Sequence, residues 1–194
     1  MRTFISIDIP EKVRKEIIKI QNELSDFKGK KTEPENLHLT LKFLGEINEE
    51  KIEKVRKKLK EVKFSKFETR IDSIGVFSEK FVRIIWLHLT DCEDLQKEID
   101  EKLKDLFERE ERFMSHLTIA RVKGVKDKKV FLEDLKKIKL LKIKFIVDNF
   151  RLKKSILTEE GPLYETIEEY KLCLLYTSDA ADELDGVDLG GRRI

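Results

Sequence analysis

Leu37-His38-Leu39-Thr40-Leu41-Lys42-Phe43 alternates without a break. In an extended chain it sets Leu37, Leu39, Leu41 and Phe43 on one face and His38, Thr40 and Lys42 on the other. An imidazole, a hydroxyl and an ammonium in a row, backed by an apolar face, suit a polar cleft floored by a packed sheet. Further on, Ser115-His116-Leu117-Thr118-Ile119 repeats the arrangement, with His116 and Thr118 on the polar side. Arg121 follows; strict alternation puts it on the side of Leu117, so it either turns round at a bulge or serves a structural ion pair.

The chain has three histidines, and each lies in a His-Leu-Thr. The third copy, Trp86-Leu87-His88-Leu89-Thr90, differs from the others. His88 shares a face with Trp86 in a mostly apolar strand, and Thr90 stands three residues before Glu93 where a helix should begin, the spacing of a capping box. His88 is therefore expected to be a packed or edge-strand histidine, and His38 and His116 to form the working pair.

Outward from these strands the periodicity predicts the order β-α-β-α-β-β-α-β-α-β-β. Residues 2–9 alternate; Pro10 opens a helix carrying Val13, Ile17 and Ile18. Asn48 caps a second helix. Residues 67–76 and 81–89 pair as strands, Leu95 to Leu106 marks a third helix, residues 130–138 a short fourth, and residues 143–157 and 163–172 close the chain around Glu160-Gly161-Pro162. Helices alternate with strands in both halves, and each half holds one of the two His-x-Thr strands. The fold class is α+β, read as two similar lobes that face each other across a cleft, with residues 1–172 as a single bilobal domain.

From Cys173 the character changes. Residues 173–194 contain no lysine, two of the three alanines and a charge of 2 − 5 = −3, which leaves 39 − 34 = +5 on residues 1–172. The segment resembles translated sequencing-adapter read-through; the other reading is a genuine acidic tail with no means of burying a core. It is expected to be extraneous to the domain.

Charged residues make up 41% of the chain, against four Asn and two Gln, a bias resembling hyperthermophile proteins. The net charge of +2 is too small to point to nucleic acid by itself. No apolar run is long enough to span a membrane, and two distant cysteines make neither a disulfide framework nor a metal knuckle. A cytoplasmic monomer without cofactor or metal is expected.

Two histidines across a cleft can serve as general acid and general base near neutral pH. Two threonines beside them offer hydroxyl donors to the non-bridging oxygens of a phosphate. Residues Glu35–Gly45 and Ser115–Arg121, with Met1–Ile5, Gly75–Phe77, Val82–Trp86, Ser155–Thr158 and Gly161–Glu165, resemble the two-histidine (2H) phosphoesterase superfamily. The resemblance runs to its archaeal and bacterial RNA 2′,3′-cyclic phosphodiesterase branch, historically called 2′-5′ RNA ligase, and covers residues 1–172. It implies a pseudo-twofold bilobal fold and metal-independent hydrolysis of RNA 2′,3′-cyclic phosphate ends, tRNA fragments among them, to 2′-phosphomonoesters. By the same resemblance His38 is the proton donor, His116 the proton acceptor, and Thr40 and Thr118 hold the phosphate. Lys42 is expected to bind the rest of the RNA, with Arg121 and Lys123 as weaker candidates. Reversible 2′-5′ ligation is implied by the older name. The alternatives are a non-catalytic RNA-binding α+β module using rings such as Phe43 and Phe77, and a zinc site built from the three histidines.

Overall fold

A computed structural model describes residues 1–140, 142–159 and 161–173; most of the segment from Cys173 onward lies outside the described residues. In chain order the elements are β1 (Arg2–Asp8), α1 (Glu11–Glu23), β2 (Lys28–Lys31), a 3-10 turn (Pro34–Asn36), β3 (His38–Glu46), α2 (Glu49–Leu59), β4 (Phe67–Val76), β5 (Ile84–Leu89), α3 (Glu93–Leu103), β6 (His116–Gly124), α4 (Lys128–Lys137), β7 (Lys144–Val147), β8 (Asn149–Thr158) and β9 (Gly161–Lys171). The expected order is present with three differences. An extra strand, β2, precedes β3; the single strand expected over 143–157 is two, broken at Asp148; and β5 starts at Ile84 rather than Phe81.

The described strands form one sheet in the order β7-β4-β5-β6-β3-β1-β8-β9, with β2 pairing to β6 off this path, and every pairing is antiparallel. Read from the middle, the order is mirrored. Three strands run outward from β6, three run outward from β3, and the two halves meet at the pair Leu39–Leu117. These are the two α+β lobes. Helices cover the face opposite the cleft, with α1 against β6 and α3 against β3, so each lobe's first helix leans on the other lobe's central strand.

Helix ends follow local chemistry. Asn48 caps α2 by accepting from the Lys51 amide at 2.9 Å, and Asp127 caps α4 by accepting from Val130 at 3.1 Å. The capping box expected from Thr90 to Glu93 does not form. Cys92 takes the N-cap position without a side-chain bond to the helix, Asp91 holds a positive φ of 63°, and the Thr90 hydroxyl donates to the Asp91 carboxylate instead.

The core explains the alternation and also where it stops. Leu37, Leu39, Leu41, Leu117 and Ile119 are at most 2% exposed, each contributing about 1.5–3 kcal/mol of burial. In both central strands the next residue is buried as well. Against β1 the register passes from Thr40 to Lys42 and skips Leu41; against β5 it passes from Thr118 to Ala120 and skips Ile119. A β-bulge three residues after each histidine therefore reverses the alternation. The bulge turns Lys42 and Ala120 inward and Phe43 and Arg121 outward, giving the two strands the same burial sequence over their first eight residues.

Lys42 is thus not on the cleft face, contrary to the alternation. It is 7% exposed, paired with the carboxylate of Asp100 and donating to the Glu108 carbonyl at 2.7 Å. Asp100 also accepts from Gln96 and from the Glu110 amide, both at 2.8 Å. The network fastens α3 and the chain after it to β3, behind the cleft. An RNA-binding role is not carried forward for Lys42.

Candidate active site

Each of the two outer histidines opens its strand, and each is held in the same way. His38 Nδ1 lies 2.8 Å from the Asn36 carbonyl oxygen, and His116 Nδ1 lies 2.7 Å from the Met114 carbonyl oxygen. A carbonyl only accepts, so Nδ1 carries the proton in both rings and the neutral form leaves Nε2 as the free atom. One residue to either side of the Leu39–Leu117 pair, the antiparallel register brings His38 level with Thr118 and Thr40 level with His116. Each histidine thereby stands level with the threonine of the other motif. Among the described residues neither threonine hydroxyl has a hydrogen-bond partner.

An aromatic edge braces each imidazole. Tyr164 of β9 meets His38 edge-on at 5.0 Å between ring centres and 80°; Phe77, just past β4, meets His116 at 4.9 Å and 85°. Phe4 packs on His38 and Tyr164 together, at 5.0 and 5.1 Å. None of these three rings was assigned to the histidine pair by sequence reasoning. The signal available was their presence in the flanking family-like segments.

The next residues outward break the twofold relation. Asp8 is the cross-strand neighbour of His38, and His88 that of His116. Asp8 accepts from Lys153 at 2.7 and 2.9 Å and also from Arg151. Burial favours its neutral acid, but the two cations outweigh this and hold its pKa below the usual carboxylate range. His88 is 28% exposed and donates from Nδ1 to Asp72 at 2.7 Å. It lies on an interior strand and on the cleft face, so the expectation of a packed or edge-strand residue is corrected; it is a cleft-lining histidine already tied to a carboxylate.

Burial drives the His38 pKa down to about 4. The nearby Lys153 and Arg121 push the same way, against the Asn36 carbonyl and Asp8. The charge of Arg121 is felt at Tyr164 as well, beside that of Arg2. The bulge therefore turns Arg121 toward the His38 end of the cleft, and no ion pair holds it among the described residues. Gly29 of β2 makes room here, since a Cβ in its place would come within 2.2 Å of the Arg121 carbonyl oxygen. Lys123, exposed beyond the buried Val122, continues this basic end. Among the described residues no group of three or more His, Cys, Asp and Glu is placed to hold a metal ion, and no helix is long and apolar enough to cross a membrane.

A polar cleft with two matched imidazoles, two free hydroxyls and a guanidinium can hold a phosphate and move protons on both sides of it. The family model described as "LigT like Phosphoesterase" matches residues 7–86 and 90–164. The RNA 2′,3′-cyclic phosphodiesterase of Methanocaldococcus jannaschii is 38% identical over 175 residues, covering 88% of this chain and all of the relative. The protein of the same name from Archaeoglobus fulgidus is 36% identical over 183 residues, again 88% of this chain and all of that one. Among solved structures, the crystal structure of the Thermus thermophilus protein TT0787 superposes with a TM-score of 0.77 at 26% identity, covering 89% of this chain and 98% of the other. The chain belongs to the LigT-like family of phosphoesterases.

Proposed function

We propose that the chain hydrolyses RNA 2′,3′-cyclic phosphate ends to 2′-phosphomonoesters by metal-independent acid–base catalysis. The observation that carries this reading is the mirrored pair of histidines, each with Nδ1 committed to a backbone carbonyl and each level with the other motif's threonine across the central strand pair. The activity named for relatives at 36–38% identity supports it.

His116 Nε2 takes a proton from water as the water oxygen bonds to phosphorus. The P–O3′ bond opposite breaks, and His38 Nε2–H delivers its proton to O3′. The phosphate stays on O2′. Thr40, Thr118 and Arg121 donate to the non-bridging oxygens, where charge accumulates. With its pKa at about 4, His38 of the free enzyme is neutral at pH 7, so the donor role needs the substrate. A phosphodiester anion beside the ring stabilises the imidazolium and offsets the burial that lowers the pKa. A 5′-hydroxyl in place of water gives a 2′-5′ phosphodiester by the same two proton transfers.

The test is an RNA ending in a 2′,3′-cyclic phosphate, incubated with the protein and EDTA. The expected product is a 2′-phosphate. A 3′-phosphate would exchange the leaving oxygen, and turnover that returns only on adding a metal would defeat the mechanism.

A further inference from the structure

The carbonyls that orient the two imidazoles lie on the connections leading into β3 and β6, two residues before each histidine. Four residues earlier again, at Thr32 and at Glu110, each connection is met by a buried polar side chain from the helix that precedes it. On α1, Gln21 is 3% exposed, and its Nε2 donates to the Thr32 carbonyl and to the Ile119 carbonyl, both at 2.8 Å. On α3, the buried Asp100 accepts from the Glu110 amide and pairs with Lys42, whose Nζ also donates to the Glu108 carbonyl.

The two ties share one plan. Each starts six residues before its own histidine and ends at the bulge of the opposite central strand. Ile119 is the residue skipped in β6, and Lys42 follows the one skipped in β3. The chain that carries one histidine's Nδ1 acceptor is therefore fastened to the strand that carries the other histidine. Core packing alone does not call for this. The Ile119 carbonyl already accepts from the Thr32 amide at 2.9 Å, so the Gln21 amide is a second donor to it. Burying a side-chain amide has a cost that only its hydrogen bonds offset.

We propose that Gln21 and the Lys42–Asp100 pair are positioning residues, each for one histidine. Gln21 holds the Asn36 carbonyl in place for His38, and Lys42–Asp100 holds the Met114 carbonyl in place for His116. The consequence for the reaction rests on the acid–base reading above. In a neutral imidazole the acceptor at Nδ1 decides which nitrogen keeps the proton. A displaced carbonyl lets the proton move to Nε2, and a protonated Nε2 cannot take one from water. This loss falls hardest on His116, the neutral acceptor; His38 acts with both nitrogens protonated and suffers in geometry alone. The connections differ in the same direction. Thr32–Asn36 contains the 3-10 turn, closed by the Leu37 amide on the Pro34 carbonyl at 3.3 Å, and the Asn36 side chain donates to the Pro162 carbonyl at 3.3 Å. Between Glu110 and Met114 there is neither helix nor strand.

The experiment compares Gln21→Met with the double variant Lys42→Met/Asp100→Leu. Both keep apolar bulk and cut the ties, and removing the two charges together leaves no lone buried ion. Nitrogen NMR spectra of the imidazoles, taken on free protein at a pH where both rings are neutral, report which nitrogen holds the proton. Gln21→Met is expected to move the His38 signals alone and to lower kcat for a cyclic-phosphate RNA about tenfold. The double variant is expected to move the His116 signals alone and to lower kcat roughly 10²-fold, the size of loss a remote displacement can cause. KM is expected to stay within about twofold in both. Imidazole signals unmoved in both variants would overturn the proposal and leave the ties a purely structural role. Signals of both histidines moving alike in each variant would overturn it too, as would shifted signals with kcat unchanged. If the double variant does not fold, the Gln21→Met spectrum decides alone. Wild-type protein that shows no hydrolysis would be a failure of the proposed function, with the tautomers still readable.

Discussion

His88 and His116 stand opposite each other on the neighbouring strands β5 and β6, and only His88 has its Nδ1 bound to a carboxylate. The two imidazoles share a face of the sheet but differ in what holds them. His116 donates to a backbone carbonyl two residues before it, as His38 does, whereas His88 donates to Asp72. His116→Ala is expected to lower turnover by roughly 10²–10⁴-fold, the usual contribution of a positioned acid or base. His88→Ala is expected to cost less than about tenfold on the same scale, with turnover measured on protein shown to be folded. Equal losses in the two would make His88 a third working part.

Lys42 and Asp100 are buried together, so breaking that pair is expected to cost stability and to spare binding. Lys42→Ala leaves a carboxylate in the interior with only Gln96 and the Glu110 amide for company. The loss is expected to be about 3–5 kcal/mol, a melting temperature lower by roughly 6–20 °C. KM for a cyclic-phosphate RNA, measured well below that temperature, is expected to stay within about twofold. A large rise in KM with unchanged stability would return Lys42 to the substrate.

That residue also marks where the sequence stops being legible. The period-two pattern of 37–43 correctly separates His38 and Thr40 from Leu39 and Leu41, because burial enforces it. It fails at Lys42 because a bulge depends on how β1 pairs with β3, and nothing in the strand's own residues encodes that pairing. The same event resolves Arg121 toward the cleft. β2 was invisible for another reason: Lys28-Gly29-Lys30-Lys31 has no apolar periodicity, and it is a strand only because Gly29 lets its backbone close on β6. The rings bracing the histidines come from β1, β9 and the chain just past β4, far from either motif in sequence, so spacing alone could not join them to the site.

Arg121 gives a prediction of its own, since the bulge leaves its guanidinium free at the His38 end. Arg121→Ala is expected to lower kcat/KM by roughly 10–10³-fold, as loss of a charged donor to the phosphate, with little change in melting temperature. Arg121→Lys is expected to recover part of the loss, because a lysine keeps the charge but not the planar fork. Full activity in Arg121→Ala would confine phosphate binding to the threonines.

Removing residues 173–194 is expected to leave activity and melting temperature unchanged. The break in composition at Cys173 motivates this, and the last residue buried in the described domain is Leu172, 7% exposed, whose amide donates to the Asp148 carbonyl at 2.7 Å. A melting temperature lower by many degrees in the shortened chain would count the segment as part of the domain.

The lowered pKa of His38 supplies the means to tell donor from acceptor. In the intact pair the two assignments give profiles of the same shape, because each requires one ring charged and one neutral. Single variants separate them. If His38 donates, the residual kcat/KM of His116→Ala falls about tenfold per pH unit above pH 4, as the free enzyme loses the imidazolium. A residual rate that stays level above pH 4 would make His38 the acceptor and reverse the reading. The same group carries a stability signature. The unfolded ring has a pKa near 6.5 and the folded ring about 4, so between these values the unfolded chain binds more protons. His38 therefore contributes nothing to pH dependence above about 6.5, and a destabilisation that grows as the pH falls and levels off below about 4. His38→Gln, which does not titrate, is expected to flatten that part of the stability curve in denaturant melts from pH 7 to pH 4. An unchanged slope would mean that His38 is not neutral in the free enzyme, and the substrate would then not be needed to charge it.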